Sequence, residues 1–347
     1  MRSSPRGDGK PTILFADYYL PRDQGLETGY VYVEGGVIAE LGYGETPDDL
    51  RSAALIYEGW GRRLLLPGLS SPVIHLGLYP LRTELGFTLS FDAAWRSVAE
   101  LSRREYSLLM LLGLRELIEK GYTSFGLFEP KPSAAAEVVA EYDLDALIIA
   151  PSDVSPMEAE REALSGLEAS EIWIDRAERL EGPRGITLGL SLGSATALAW
   201  PSAEMCDKVD YYAVGHNASF SGRLPILLCD EPVRARERPP RTLKRLTRTE
   251  WKRGEKPKLD GSWLERGGPA DLISVKLDEP PLAGLRWDDI AWVLSRLDVW
   301  PPALETVVIK GEVVVDGGQQ LLLEEPLLSL AEKVAEKVRV LAMRRGP

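Results

Sequence analysis

Histidine is the scarcest reactive residue in this chain, with only His75 and His216 among 347 residues. A catalytic zinc takes about three protein ligands and leaves one position open, so the number of imidazoles excludes a histidine-rich metal centre. Amides are nearly missing too: Asn217 is the lone asparagine, and glutamine occurs only at Gln24, Gln319 and Gln320. Few thermolabile amides, with 27% charged residues, read as the protein of a thermophile. Two cysteines, Cys206 and Cys229, make no disulfide framework and are expected as free thiols in a reducing compartment. No apolar run approaches the roughly 18 residues of a membrane span, and Met1 to Lys10 is polar with no apolar signal core behind it. The expectation is a cytoplasmic globular protein without a membrane partner. The glycines from Gly215 to Gly222 lack the G-K-[ST] ending of a phosphate loop. Ser194 has no nucleophile-elbow pattern around it.

The net charge of -12 argues against nucleic acid as a partner. One segment runs the other way: Arg234 to Lys258 holds eleven Lys and Arg against three Glu. It reads as a solvated surface segment or as a docking face for an acidic partner. Trp251 is its sole aromatic, without the interleaving that stacks single-stranded bases.

Short apolar runs open the chain. Thr12 to Ala16, Gly29 to Val33 and Val37 to Leu41 read as strands, the last two joined across Glu34-Gly35-Gly36, a hairpin signal. The same texture returns at Ala270 to Leu277, Thr306 to Lys310 and Val313 to Gly318. One β domain built from both chain ends, residues 11–66 and 262–323, is therefore expected. Residues 67–258 alternate instead. Phe91 to Lys120 has helical spacing (Leu101, Leu108, Leu109, Leu112, Leu117, Ile118) and stops at Gly121. A strand over Tyr122 to Phe128, a helix over Ser133 to Tyr142 and a strand over Leu144 to Ala150 follow. Next come a helix over Ser155 to Leu167 and strands at Glu171 to Ile174, Gly185 to Leu192 and Asp210 to Val214. Such alternation predicts a parallel sheet wound by helices. Residues 324–347 read as an amphipathic helix with Leu327, Leu330, Val334, Val338 and Leu341 on one stripe.

Leu64-Leu65-Leu66-Pro67-Gly68-Leu69, followed by Val73-Ile74-His75, resembles the barrel entry of the amidohydrolase superfamily, in its cytosine deaminase, chlorohydrolase and dihydroorotase-like branches. There a leucine-rich strand ends in Pro-Gly and leads to a metal-binding His-x-His. His75 falls on the second histidine and Val73 takes the place of the first. Two flanking patterns carry the resemblance further. Val33-Glu34-Gly35-Gly36-Val37-Ile38 with Gly42 matches the family's N-terminal hairpin, and Gly267 to Val275 with Val307 to Gly317 matches its C-terminal strand and hairpin. The resemblance implies an α/β fold with a TIM-barrel-like domain and a composite β-sandwich formed by both chain ends. Residues 67–258 fall short of the about 250 that an eightfold barrel takes, so an incomplete barrel is expected.

The resemblance also implies chemistry: a divalent metal, zinc or iron, activates water while a carboxylate moves the proton, and a non-peptide carbon–nitrogen bond of a small polar or heterocyclic substrate is hydrolysed. Most of the implied ligands are absent. His216 and Asn217, in Val214-Gly215-His216-Asn217, stand where the last-strand aspartate belongs, and Leu192 to Thr196 carries no middle histidine. The His-x-x-Glu shuttle motif is absent as well. The candidate site residues are thus His75, His216, Asn217 and Glu129, with His75 and His216 as the candidate metal ligands. Glu129 enters because it follows the strand Tyr122 to Phe128, and strand C-termini converge at a barrel mouth, where Cys206 could join them. The plainer alternatives are a strand-end hydrogen bond for His75, loop or turn positions for His216 and Asn217, a buried apolar group for Cys206 and a solvated carboxylate for Glu129. Two functions stay open. One is a hydrolase with a reduced metal site and a small-molecule ligand. The other is a non-catalytic binding or scaffold protein, homo-oligomeric or joined to a partner subunit.

Overall fold

The computed structural model describes residues 9–22, 25–84, 88–89, 91–149, 177–181, 187–192, 195–198, 211–212, 264–280, 282–286 and 303–345. The chain divides into two compact units, one of residues 1–69, 118–123 and 248–322 and the other of residues 70–117, 124–247 and 323–347.

In the first unit, β1 (Ile13–Arg22), β2 (Gly25–Glu34), β3 (Val37–Tyr43), β4 (Leu55–Glu58) and β5 (Arg63–Pro67) come from the N-terminal part. β13 (Leu272–Lys276), β14 (Leu304–Ile309), β15 (Glu312–Asp316) and β16 (Gln319–Gln320) come from the C-terminal part. All nine belong to one sheet, in the order β16-β15-β14-β13-β5-β1-β2-β3, with β4 also on β1. The junction between chain ends is the antiparallel pair β5–β13, Leu272 opposite Pro67 through Lys276 opposite Arg63. Alternate residues take opposite faces. Ile13, Phe15, Val31, Val33, Leu65, Leu272 and Val308 share one apolar cluster, while Leu14, Ala16 and Tyr30 form another.

The hairpin turns explain the glycines. Gly35 and Gly36 both have positive φ, as do Lys310 and Gly311, and Gly317 and Gly318, the backbone that two-residue I′ turns need. Two of these turns also touch: a Cβ on Gly311 would lie 2.6 Å from the Cα of Gly36. The Ala-Asp-Leu pattern has a structural use here. The buried Asp271 carboxylate accepts the Lys310 amide at 2.6 Å and so anchors the β14–β15 turn.

The second unit contains a 3-10 turn (Leu76–Leu81), α1 (Phe91–Ala99) and most of β6 (Leu69–Ile74), α2 (Arg103–Glu119) and β7 (Tyr122–Phe128). It continues with α3 (Pro132–Glu141) and β8 (Asp145–Ile149). The order β6-β7-β8 makes a sheet in which β7 and β8 are parallel, α3 supplying the crossover. β9 (Ala177–Glu181), β10 (Thr187–Leu192), β11 (Ala195–Leu198) and β12 (Tyr211–Tyr212) make a second sheet. There the expectation of parallel strands holds for β11–β12 alone. β9–β10 and β10–β11 are antiparallel, the latter because the two residues between Leu192 and Ala195 cannot carry the crossover a parallel pair requires.

Two further expectations need correction. The helical stretch from Phe91 is two helices, because Ser102 starts a new one: its hydroxyl and amide bond the Glu105 carboxylate at 2.8 and 3.0 Å, a capping box spelled Ser-x-x-Glu. The terminal helix, α4 (Glu325–Arg345), buries Leu328, Ala331, Ala335, Val338 and Ala342. Of the expected leucine and valine stripe Val338 is buried on that face and Leu327, Val334 and Leu341 are half-buried at its border, while Leu330 is exposed. Alanines let α4 approach α1 and the 76–81 turn closely, and both are its neighbours. Among the described residues no helix is long and apolar enough to cross a membrane.

Candidate active site

The expected helix over 155–167, the strand at 171–174, Ser194, Cys206, His216, Asn217 and the basic segment 234–258 all lie outside the described residues. His75 and Glu129 lie within them, and the fold brings their segments together. Each stands one residue past the C-terminus of a strand, β6 and β7, that are neighbours in the sheet.

Two glycines shape the approach. A Cβ on Gly68 would lie 2.2 Å from the Thr123 hydroxyl oxygen, so the Pro-Gly punctuation marks where the backbone runs hard against β7. A Cβ on Gly77 would lie 2.1 Å from the Tyr106 hydroxyl oxygen. Only a bare backbone leaves room for that ring.

Glu129 is fully buried. One carboxylate oxygen accepts the Leu76 amide at 2.5 Å, and the other accepts the Gly77 amide at 3.4 Å and the Tyr106 hydroxyl. Burial pushes its pKa up to about 8, and the Tyr106, Leu76 and Gly77 bonds pull against that rise. Burial likewise pushes the Tyr106 hydroxyl well above its ordinary value, with the Glu129 charge adding to the effect. A solvated role for Glu129 is therefore overturned, since the turn after β6 closes over it. His75 is also buried, 9% exposed, and meets the half-buried Trp95 of α1 edge to face, with ring centroids 5.7 Å apart.

A metal ion finds no obvious cradle here. Among the described residues no three His, Cys, Asp or Glu side chains gather as a ligand set. The groups around Glu129 are an O–H and two N–H donors, which complement a carboxylate and would oppose a cation in the same space. The carboxylate is directed into the protein.

No protein-family model matches the chain, and no curated protein does. Solved structures do match. Triazine hydrolase from Arthrobacter aurescens aligns over 96% of this chain and 99% of its own, with a TM-score of 0.56 and 15% identity. The chain shares its fold with solved hydrolases. An adenosine deaminase from Xanthomonas campestris with bound zinc aligns over 94% of this chain and 98% of its own, at TM-score 0.60 and 14% identity. An amidohydrolase from Brucella melitensis aligns over 96% and 100%, at 0.56 and 13%. At such identities the likeness is one of fold.

Sequence reasoning reached His75 and Glu129 but missed Tyr106, Trp95 and Gly77. Tyr106 falls on the buried side of α2, four residues after the capping serine, where an aromatic reads as ordinary core. Glu129 precedes Pro130 and so reads as a loop residue. The one available signal was a carboxylate placed directly after a buried strand.

Proposed function

We propose that this chain is an amidohydrolase-like protein, related to hydrolases of non-peptide carbon–nitrogen bonds in small polar or heterocyclic substrates, with a degenerate metal site. The observation that carries this reading is the placing of His75 and Glu129 just past two neighbouring strands, in a chain that aligns nearly end to end with a triazine hydrolase and a zinc-bound deaminase. In this reading residues 67–258 form a shortened barrel-like domain, residues 11–66 and 262–323 form a composite sandwich, and residues 324–347 are a separate terminal amphipathic helix. The protein works in the cytoplasm of a thermophile, and if it keeps a metal, His75 and His216 hold a single zinc or iron.

One observation favours a second reading, a non-catalytic binding or scaffold protein that acts as a homo-oligomer or beside a partner subunit. Three donors of its own chain face the Glu129 carboxylate, which is buried and directed into the protein, and this favours a structural role over moving a substrate proton. Elemental analysis of untagged protein, repeated on His75→Ala and His216→Ala, separates the two. One divalent metal per chain that disappears in both variants supports a hydrolase and directs a screen of deaminase and amidase substrates. Metal-free protein, inactive on that screen with zinc or iron added, supports the scaffold.

A further inference from the structure

A buried carboxylate that faces three donors holds them together, and here the donors point to what is held. Glu129 bonds the amides of Leu76 and Gly77, the two residues directly after His75, and ties them to Tyr106 on α2. The Tyr106 ring in turn fills the space that the missing Gly77 side chain leaves open. His75 leads into the Leu76–Leu81 turn, and its own carbonyl accepts the Leu78 amide at 3.2 Å. Its imidazole then rests edge-on against Trp95. The backbone on the C-terminal side of His75 is thus held by two amide hydrogen bonds to one carboxylate, which the Tyr106 hydroxyl bonds as well, and no imidazole atom takes part in them.

We propose that Glu129 is a positioning residue: with Tyr106 it clasps the backbone at Leu76 and Gly77 and thereby fixes where the His75 ring points, serving the site as an internal tie and not as a metal ligand. This rests on the reading that His75 belongs to the functional site, but its test does not depend on hydrolysis. The clasp does the joining that a shared cation would otherwise do between the ends of two adjacent strands, and it does so with one carboxylate and three donors. It also accounts for the pairing of a glycine at 77 with a tyrosine at 106.

The experiment is proton NMR of the imidazole signals in the whole protein. Two histidines give two sets, assigned by the loss of one set in His75→Ala. Glu129→Ala is expected to displace the His75 ring signals and to remove the part of their shift that Trp95→Leu also removes. Glu129→Gln keeps an acceptor for the Leu76 amide and is expected to return the signals most of the way to the wild-type position. Tyr106→Phe is the milder companion, expected to displace them less than Glu129→Ala and to be decisive if the alanine variant does not fold. Glu305→Gln, which breaks an ion pair with Arg63 in the other unit, serves as the control for destabilisation alone. His75 signals that stay in place in Glu129→Ala, or in Tyr106→Phe where the alanine variant is unfolded, overturn the proposal. So does zinc binding by the wild type that Glu129→Gln abolishes while the His75 signals stay in place. Failure of the hydrolase reading, by contrast, shows only in metal content and turnover.

Discussion

Glu129 sets burial against hydrogen bonding, and the contest has a measurable result in the pH dependence of stability. Burial pushes the carboxyl from an ordinary 4.5 up to about 8, and the three donors fail to bring it back. Between these values the folded chain holds a proton that the unfolded chain has released, so stability falls as pH rises through the window and levels off above about 8. At about 1.4 kcal/mol per pH unit, the whole interval is worth about 5 kcal/mol. The acid form is then the favoured one in the folded chain below about pH 8. Glu129→Gln removes the titration while keeping shape. The assay is urea unfolding followed by circular dichroism at a series of pH values from 5 to 9. The wild type should lose stability relative to Glu129→Gln by up to about 1.4 kcal/mol per pH unit across the window. Parallel curves would refute the reasoning, and would mean that the Leu76, Gly77 and Tyr106 donors outweigh desolvation.

Gly68→Ala should unfold more easily than the wild type by about 1–3 kcal/mol or more, since the new methyl would lie 2.2 Å from the Thr123 hydroxyl oxygen with β7 behind it; differential scanning calorimetry measures this. Glu105 behaves in the opposite sense to Glu129. The Lys337 ammonium, and then Ser102, hold its carboxyl down to about 2, so the stability it lends is present above about 4.5 and is lost as pH falls toward 2. The pair is partly exposed and screened by solvent, so Lys337→Ala should cost under about 1 kcal/mol at neutral pH and nothing measurable at pH 2, read by thermal melts at both.

The strands of the first unit were legible because their signals are local. Gly35-Gly36 and Gly317-Gly318 mark turns by conformation, and the runs on either side alternate between two faces. The face of α4 was legible only in part: Val338 and the half-buried Leu327, Val334 and Leu341 follow hydropathy, but Ala331, Ala335 and Ala342, small residues at the centre of the face, carry no hydropathic signal to match. The break at Ser102 was written in the sequence as Ser-x-x-Glu but was masked by continuous helical spacing on both sides. At the site, positions along strands suffice to bring His75 and Glu129 together. That Glu129 turns inward depends on Tyr106 and on the bare backbone at Gly77, contacts between segments dozens of residues apart that no local pattern encodes.

The pairing of β5 with β13 also bears on how the chain is made. Leu64 to Pro67 leave the ribosome well before Leu272 to Lys276, with about 200 residues between them, most of them assigned to the second unit. At about 5–20 residues per second, this wait is on the order of ten seconds or more. Throughout it the apolar β5 presents an unpaired edge, the kind of surface to which another nascent chain can add a strand. A chain truncated before residue 272 keeps that edge permanently. Shortened forms of this protein should therefore aggregate through Leu64, Leu65 and Leu66.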